Sequence, residues 1–261
     1  MSESDPTAST RRFYDELASY HHLIFGDWEQ SIQRQASALD RIIRSELTGP
    51  PLSVLDCTCG IGTQAIGLAE RGYQVRGTDL SPAAVRRAAR ESRKRGLKMT
   101  FAVADVRELD SLVSGLYDVV LSCDNALPHL LTDEDLLRAL RAVHSKLRPG
   151  GLFIASIRDY DRLGAERPRV DPPRVIDGPN GRRIVFQVWD WSTDGPLYAV
   201  HQFIVQEGER GWKTAHSATD YRALKRDELA ALLKQVGLVE IRWRMPDETS
   251  FFQPVVTARH G

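Results

Sequence analysis

Hydrophobic and polar positions change period several times along the chain, and each change marks a different kind of element. Over residues 28–47 apolar side chains return at helical spacing (Ile32, Ala36, Leu39, then Ile42 or Ile43). This predicts a helix capped by Asp27 and stopped by Gly49-Pro50-Pro51. Short apolar runs over 52–55, 73–78, 99–103, 117–122 and 151–157 read as buried strands. Helical patterns lie between most of them. They cover 63–71, 82–95 (Ser81 as cap, Pro82 in the first turn) and 133–147, the last ended by Arg148-Pro149-Gly150-Gly151. Strands alternating with helices build βαβ units, and so a parallel sheet covered on both faces. From Arg174 to Tyr221 the period becomes two, as in Ile184, Phe186 and Val188. Three strand-like runs are expected there, an antiparallel meander punctuated at residues 178–181, 193–196 and 207–211. A helix over 226–236 and strands over 238–245 and 251–258 finish the pattern. The turn between those strands is too short for a helical crossover, so they pair antiparallel.

Ahead of all this, residues 1–10 are small, polar and acidic and predict disorder. An aromatic-rich segment follows, from Phe13-Tyr14 through Tyr20-His21-His22 to Phe25-Gly26-Asp27-Trp28.

Charge narrows the partners. Lys plus Arg and Asp plus Glu number 35 each among 261 residues, so there is no basic footprint and nucleic acid is not expected. Arg86-Arg87, Arg90 and Arg93-Lys94-Arg95 read as a solvated helix face. No basic start leads into an apolar stretch, and no apolar run approaches the roughly 20 residues that span a bilayer. The expectation is a cytoplasmic protein with no membrane partner. Cys57, Cys59 and Cys123 are too few for a disulfide framework. Cys-x-Cys is also shorter than the usual zinc spacing, so even with His129 nearby no metal is expected.

The most informative stretch is Val54-Leu55-Asp56-Cys57-Thr58-Cys59-Gly60-Ile61-Gly62-Thr63, where a strand runs through a glycine loop into a helix. Asp79 ends the second strand, at the separation where an acidic residue meets a ribose. Gly60-x-Gly62-x-x-Ala65 also fits a loose dinucleotide fingerprint. Asp56 argues against a dinucleotide. A carboxylate there suits the cationic amino group of a methionine moiety and repels a pyrophosphate.

The loop resembles the V-L-D-x-G-C-G-x-G motif of the class I S-adenosylmethionine (SAM) dependent methyltransferases, with Thr58 in place of the family's first glycine. The resemblance implies SAM as cofactor, with contacts from Asp56, Cys57, Thr58, Gly60 and Thr63. It also implies Asp79 and Leu80 at the ribose, Asp105 and Val106 at the adenine, and Cys123 at the fourth strand's end. Residues 148–151 look like the family's P-G-G turn before the fifth strand. The implied fold is α/β: a Rossmann-like doubly wound seven-stranded sheet with the last strand antiparallel, an inserted antiparallel β meander and an N-terminal helical lid. The expected division is a lid over 1–48, a SAM-binding core over 49–158, a β substrate lid over 159–224 and the rest of the core over 225–261.

The aromatic segment and the meander further resemble the glycine N-methyltransferase group, including its bacterial glycine/sarcosine members. Cys123-Asp124-Asn125-Ala126-Leu127-Pro128-His129-Leu130 is similar to that group's C-x-G-N-S-F-A-H-L, matching Asn125 and His129. Arg158-Asp159-Tyr160-Asp161 is similar to its R-N-Y-D, matching Arg158 and Tyr160, with Asp159 replacing an Asn. Phe25-Gly26-Asp27 resembles its I-G-D, and an Arg on the following helix, here Arg34, is implied at the SAM carboxylate. Tyr20 and His21 are expected over the sulfonium, since an aromatic face attracts a cation, and Trp28 is placed with the cofactor residues.

The expected activity is methyl transfer to the amine of a small amino acid or amino-carboxylate such as glycine or sarcosine. Arg158 presents a planar fork to the substrate carboxylate, Asn125 orients the substrate, and Tyr160 and Tyr221 complete the pocket. His129 would serve as base for a hydroxyl or thiol acceptor instead. An O-methyltransferase of secondary metabolism and a non-catalytic SAM-binding protein stay open as alternatives, as does assembly into a homo-oligomer.

Overall fold

The computed structural model describes residues 6–49, 52–178 and 181–261. The proposed helix stop at Pro50-Pro51, the centre of the turn at Pro179-Asn180, and residues 1–5 of the expected disordered start lie outside them. Residues 6–10 correct that expectation, because helix α1 (Pro6–Leu17) already begins at Pro6. Pro6 fits a first helical turn, and Phe13 and Leu17, four apart, are buried on one face. Helix α2 (Trp28–Glu46) starts at Asp27, whose side chain accepts from the Gln30 N–H. Its Ile32, Leu39 and Ile43 are fully buried, each contributing about 1.5–3 kcal/mol relative to exposure.

Strand β1 (Ser53–Asp56), helix α3 (Thr63–Ala69), β2 (Gln74–Asp79), α4 (Pro82–Lys94) and β3 (Thr100–Val103) form the first half of the core. Ser81 caps α4 by accepting from the Ala84 N–H. Helix α5 (Leu109–Leu112), β4 (Tyr117–Ser122), α6 (Asp133–His144) and β5 (Leu147–Ser156) follow. The Pro149-Gly150-Gly151 turn lies inside β5 as an irregularity, with the β4–β5 register shifting between Tyr117 and Val119. A helix that sequence patterning missed, α7 (Tyr160–Glu166), leaves β5.

The meander has four strands, not the three expected: β6 (Val170–Gly178), β7 (Gly181–Trp191), β8 (Leu197–Gly208) and β9 (Gly211–Arg222). Pro172 and Pro173 hid β6, since proline is uncommon in strands. β6 tolerates them as an edge strand, at the shift in its register with β7. Helix α8 (Arg226–Gln235), β10 (Leu238–Arg244), the single turn α9 (Pro246–Thr249) and β11 (Val255–His260) complete the chain.

The main sheet has strand order β10-β11-β5-β4-β1-β2-β3. β1 to β5 pair parallel, while β11 runs antiparallel between β5 and β10. Val119 and Leu121 of β4 pack with α2 and α3, and Val120 packs with α6 and α8 on the other face. Both faces are therefore covered, which explains strands that read as continuous apolar runs. The meander forms its own sheet. Trp189, Tyr198, Val200 and Tyr221 on its inner face join the main core, while Val185 and Ile204 pack against Phe13 and Leu17 of α1. Helix α1 thus bridges the two sheets, and its Asp15 accepts from the Ser81 hydroxyl and the Ala83 N–H at the start of α4.

Candidate active site

The carboxyl ends of β1 to β5 open into a cavity of about 930 Å³, roofed by α1 and the meander's inner face. Ligands of open parallel sheets bind at this edge. The floor begins with the turn after β1. Gly60 and Gly62 hold φ of +52° and +95°, conformations that side chains rarely adopt. A Cβ built on Gly60 meets nothing nearer than His21 Cε1 at 3.8 Å, so the loop backbone faces open space. The Gly60 and Ser81 N–H groups each donate to a different oxygen of Asp79 at 2.8 Å, tying the loop to the end of β2. Burial pushes the Asp79 carboxyl above its ordinary value, against those two donors.

Asp56 sits beneath this loop, 1% exposed and off the cavity wall, with its Oδ2 lacking a hydrogen-bond partner among the described residues. Burial pushes its pKa up to about 7, opposed by the Thr58 and Ala65 N–H groups, with Asp79 adding to the rise. Cys57, Thr58, Thr63, Leu80, Val106 and Cys123 all line the cavity. Burial raises the thiols of Cys57, Cys59 and Cys123, so they stay neutral. Asp105 lines the cavity too, but both its oxygens accept from the Arg107 guanidinium, which also holds Asp135. Burial works against the Asp105 charge, yet Arg107 outweighs it and holds the carboxyl below its usual range.

Besides Asp56, two of the expected cofactor residues lie off the cavity wall. Tyr20 is 42% exposed and does not line the cavity, because it falls in the turn that leaves α1. Trp28 is buried in a cluster with Ile32, Ile61 and Ile66, and its Nε1–H donates to Thr63 Oγ1 at 2.9 Å. It supports the start of α3 from behind. Arg34 is exposed on α2 and reaches the cavity.

The acceptor half is a polar cage. Asp124 and Asn125 hold φ of +60° and +66°, a tight turn between β4 and the following short helix. Asp and Asn tolerate this region best among residues with side chains. The Asp124 N–H donates to Ser156 Oγ at 2.8 Å and the Asn125 N–H to the Ser156 carbonyl at 3.0 Å, which pins the turn to β5. Asn125 Oδ1 accepts from the Arg158 N–H, and its Nδ2 donates to the Tyr160 hydroxyl. Tyr160 is fully buried behind Asn125 and joins Tyr198 at 2.8 Å, so it positions Asn125 from outside the cavity.

Arg158 donates to the Tyr198 hydroxyl and to Gln187 Oε1, while its guanidinium lies 4.8 Å from the Trp189 ring centre and 5.4 Å from that of Tyr221. Among the described residues no carboxylate pairs with it. His129 is sandwiched against Tyr221, ring centres 4.0 Å apart. Its Nδ1 faces the Asp220 carbonyl, which can only accept, so Nε2 accepts from the Tyr14 hydroxyl at 2.8 Å. Burial pushes the His129 pKa down to about 3, and that of His21 down to about 4. Tyr14, Asp124 and Arg107 escaped sequence reasoning. Only Asp124, beside a matched Asn, carried a local signal.

Residues 54–151 match a family described as a methyltransferase domain. The chain is 31% identical over 218 residues to a glycine/sarcosine N-methyltransferase of Parasynechococcus marenigrum, covering 75% of this chain and 74% of that protein. The chain belongs to the class I SAM-dependent methyltransferases. A putative methyltransferase of Bacillus subtilis, YqeM, is 29% identical over 224 residues, covering 86% of this chain and 83% of that one. The SAM-bound amino pentose methyltransferase CalS10 of Micromonospora echinaspora shares the fold. It has a TM-score of 0.71 at 18% identity, covering 88% of this chain and 92% of that one. The methyltransferase uses SAM, and its residues suit that cofactor. The open glycine loop, a buried carboxylate oxygen without a partner beneath it, and an Asp79 held at the loop's rim together offer negative charge and close backbone approach.

Proposed function

We propose that this methyltransferase acts on the amine of a small amino-carboxylate, of the glycine or sarcosine type. The observation that carries the reading is Arg158. A half-buried guanidinium, held as a fork by Tyr198 and Gln187 and flanked by two rings, has no carboxylate partner among the described residues. A carboxylate-bearing substrate completes that ion pair. The related glycine/sarcosine N-methyltransferase supports the same substrate class.

In this reading the turn after β1, Asp79 and Arg34 hold the cofactor. When bound, SAM supplies an electrophilic methyl carbon on a sulfonium. Asn125, fixed by Tyr160 and Arg158, orients the acceptor, and α1 with Tyr14 excludes water. His129 stays neutral at working pH and holds the lid through Tyr14, so it positions the roof and carries no charge.

The test is turnover of glycine, sarcosine and dimethylglycine against phenols, in the wild type and in Arg158→Ala. Loss of a charge-assisted contact lowers kcat/KM for the amino acids by about 10- to 100-fold, with the SAM Kd unchanged. Turnover on phenols alone, or amino-acid turnover indifferent to Arg158→Ala, would overturn the reading.

A further inference from the structure

One charged group in the acceptor cage has no assigned work. The Asp124 carboxylate lines the cavity, and no hydrogen-bond or ion-pair partner reaches it among the described residues. Its backbone is held left-handed by Ser156, which fixes the direction of its Cα–Cβ bond. A polar side chain kept in a rarely adopted conformation, at the edge of a ligand cavity, has to be held there by its surroundings. The same cavity is lined by Arg158, the group that takes a carboxylate in the reading above. The two charges are opposite, near enough for Arg158 to act on the Asp124 charge, and not paired with each other. This is the pattern that a zwitterion completes, with its carboxylate on the arginine and its ammonium on the aspartate.

We infer that Asp124 recognises the substrate as an ammonium ion and then takes its proton. The inference rests on the amino-carboxylate reading. In the step, an N–H bond of the ammonium breaks and an O–H bond forms on Asp124. The electron pair stays on nitrogen, which becomes the neutral amine that methyl transfer needs. The methylated nitrogen leaves as an ammonium, and the proton on Asp124 returns to solvent.

The surroundings suit a proton acceptor working near neutrality. Burial pushes the Asp124 pKa up to about 6, with Arg158 pulling it down. The other groups that act on it are Tyr14 of α1, Tyr221 of β9 and Cys123 before it, and His129 lines the same cavity. Burial raises the tyrosines and the thiol and holds His129 at about 3, so none of these titrates near 6.

The test is the pH profile of kcat/KM for sarcosine at saturating SAM, in the wild type and in Asp124→Asn. Asn tolerates the left-handed turn and removes only the charge. Asp124→Gly, which relaxes the backbone as well, guards against a folding artefact, and thermal unfolding of each variant checks the fold. The wild type loses activity as pH falls through about 6. Asp124→Asn lowers kcat/KM at pH 7 by about 10- to 100-fold. It also abolishes the limb near 6, and its rate rises about tenfold for each pH unit, because only free amine is then productive. A variant that keeps the limb and the wild-type kcat/KM overturns the inference.

Inhibition by half-ligands separates this failure from that of the parent reading. Ethylamine inhibits through Asp124 and weakens in Asp124→Asn. Propionate inhibits through Arg158 and weakens in Arg158→Ala. Propionate indifferent to Arg158→Ala sinks the amino-carboxylate reading alone. Ethylamine that fails to inhibit, or is indifferent to Asp124→Asn, sinks the Asp124 assignment.

Discussion

Replacing Asp56 by Asn should stabilise the protein while weakening its hold on the cofactor. The carboxylate is 1% exposed, and burial moves its pKa from an ordinary 3.8 to about 7. The folded state therefore keeps a proton that the unfolded chain has lost, and stability falls as pH rises from about 4 to about 7. Above that window the ionised carboxylate costs on the order of 4 kcal/mol. Asn removes this cost but brings an amide donor to the place of the unpartnered Oδ2, which costs about 1–3 kcal/mol. The net gain at pH 8 is roughly 1–3 kcal/mol, or about 2–12 °C in Tm for a domain of this size. Below pH 4 the gain vanishes, and Asn is neutral or worse. The negative charge beneath the glycine loop favours a cationic methionine moiety above it, so SAM Kd should rise about tenfold for each ~1.4 kcal/mol of attraction lost. Differential scanning fluorimetry of the ligand-free variant from pH 4 to 8, with calorimetric SAM titration at pH 8, reads both effects. A Tm below that of the wild type at pH 8, or an unchanged SAM Kd, would rule out a destabilising, cofactor-binding charge at Asp56.

Two further substitutions probe the supports of the site. A Cβ on Gly77 falls 2.7 Å from two ring atoms of Phe101 and 3.0 Å from Cys59 Sγ, so Gly77→Ala overpacks β2 against the loop. Stability should drop by about 1–3 kcal/mol, seen as a lower urea midpoint, and SAM Kd should rise because Cys59 moves. Tyr14→Phe leaves His129 Nε2 without its donor. Unfolding should become easier by about 1–2 kcal/mol, with a higher KM for the acceptor as α1 loosens, measured by chemical denaturation and steady-state kinetics.

Much of the cofactor half was legible in the sequence, because strand, glycine loop and helix are local features. Asp27 and Ser81 both cap the helices they were expected to cap, and β4 spans residues 117–122 as its apolar run predicts. Element ends drifted where neighbours override local pattern, as in α6, which stops at His144. The acceptor half was less legible, because it converges from α1, the β4 turn, the end of β5 and three meander strands. Polar residues at 6–10 concealed α1, whose stability comes from burying Phe13 and Leu17 against the meander. Tyr14 acquires its role only because His129 stands opposite it 115 positions later in the chain. Tyr20 and Trp28 shared an aromatic segment with His21, but the turn after α1 sends Tyr20 to solvent and the start of α2 buries Trp28.

In the proposed reaction the methyl group goes to the nitrogen of a small amino-carboxylate. Incubation with SAM labelled with carbon-13 in its methyl group, with glycine and a phenol present together, tests it directly by NMR of the products. The expected product is sarcosine with a labelled N-methyl carbon, and that signal is lost in Arg158→Ala. A labelled O-methyl on the phenol with glycine unlabelled contradicts it.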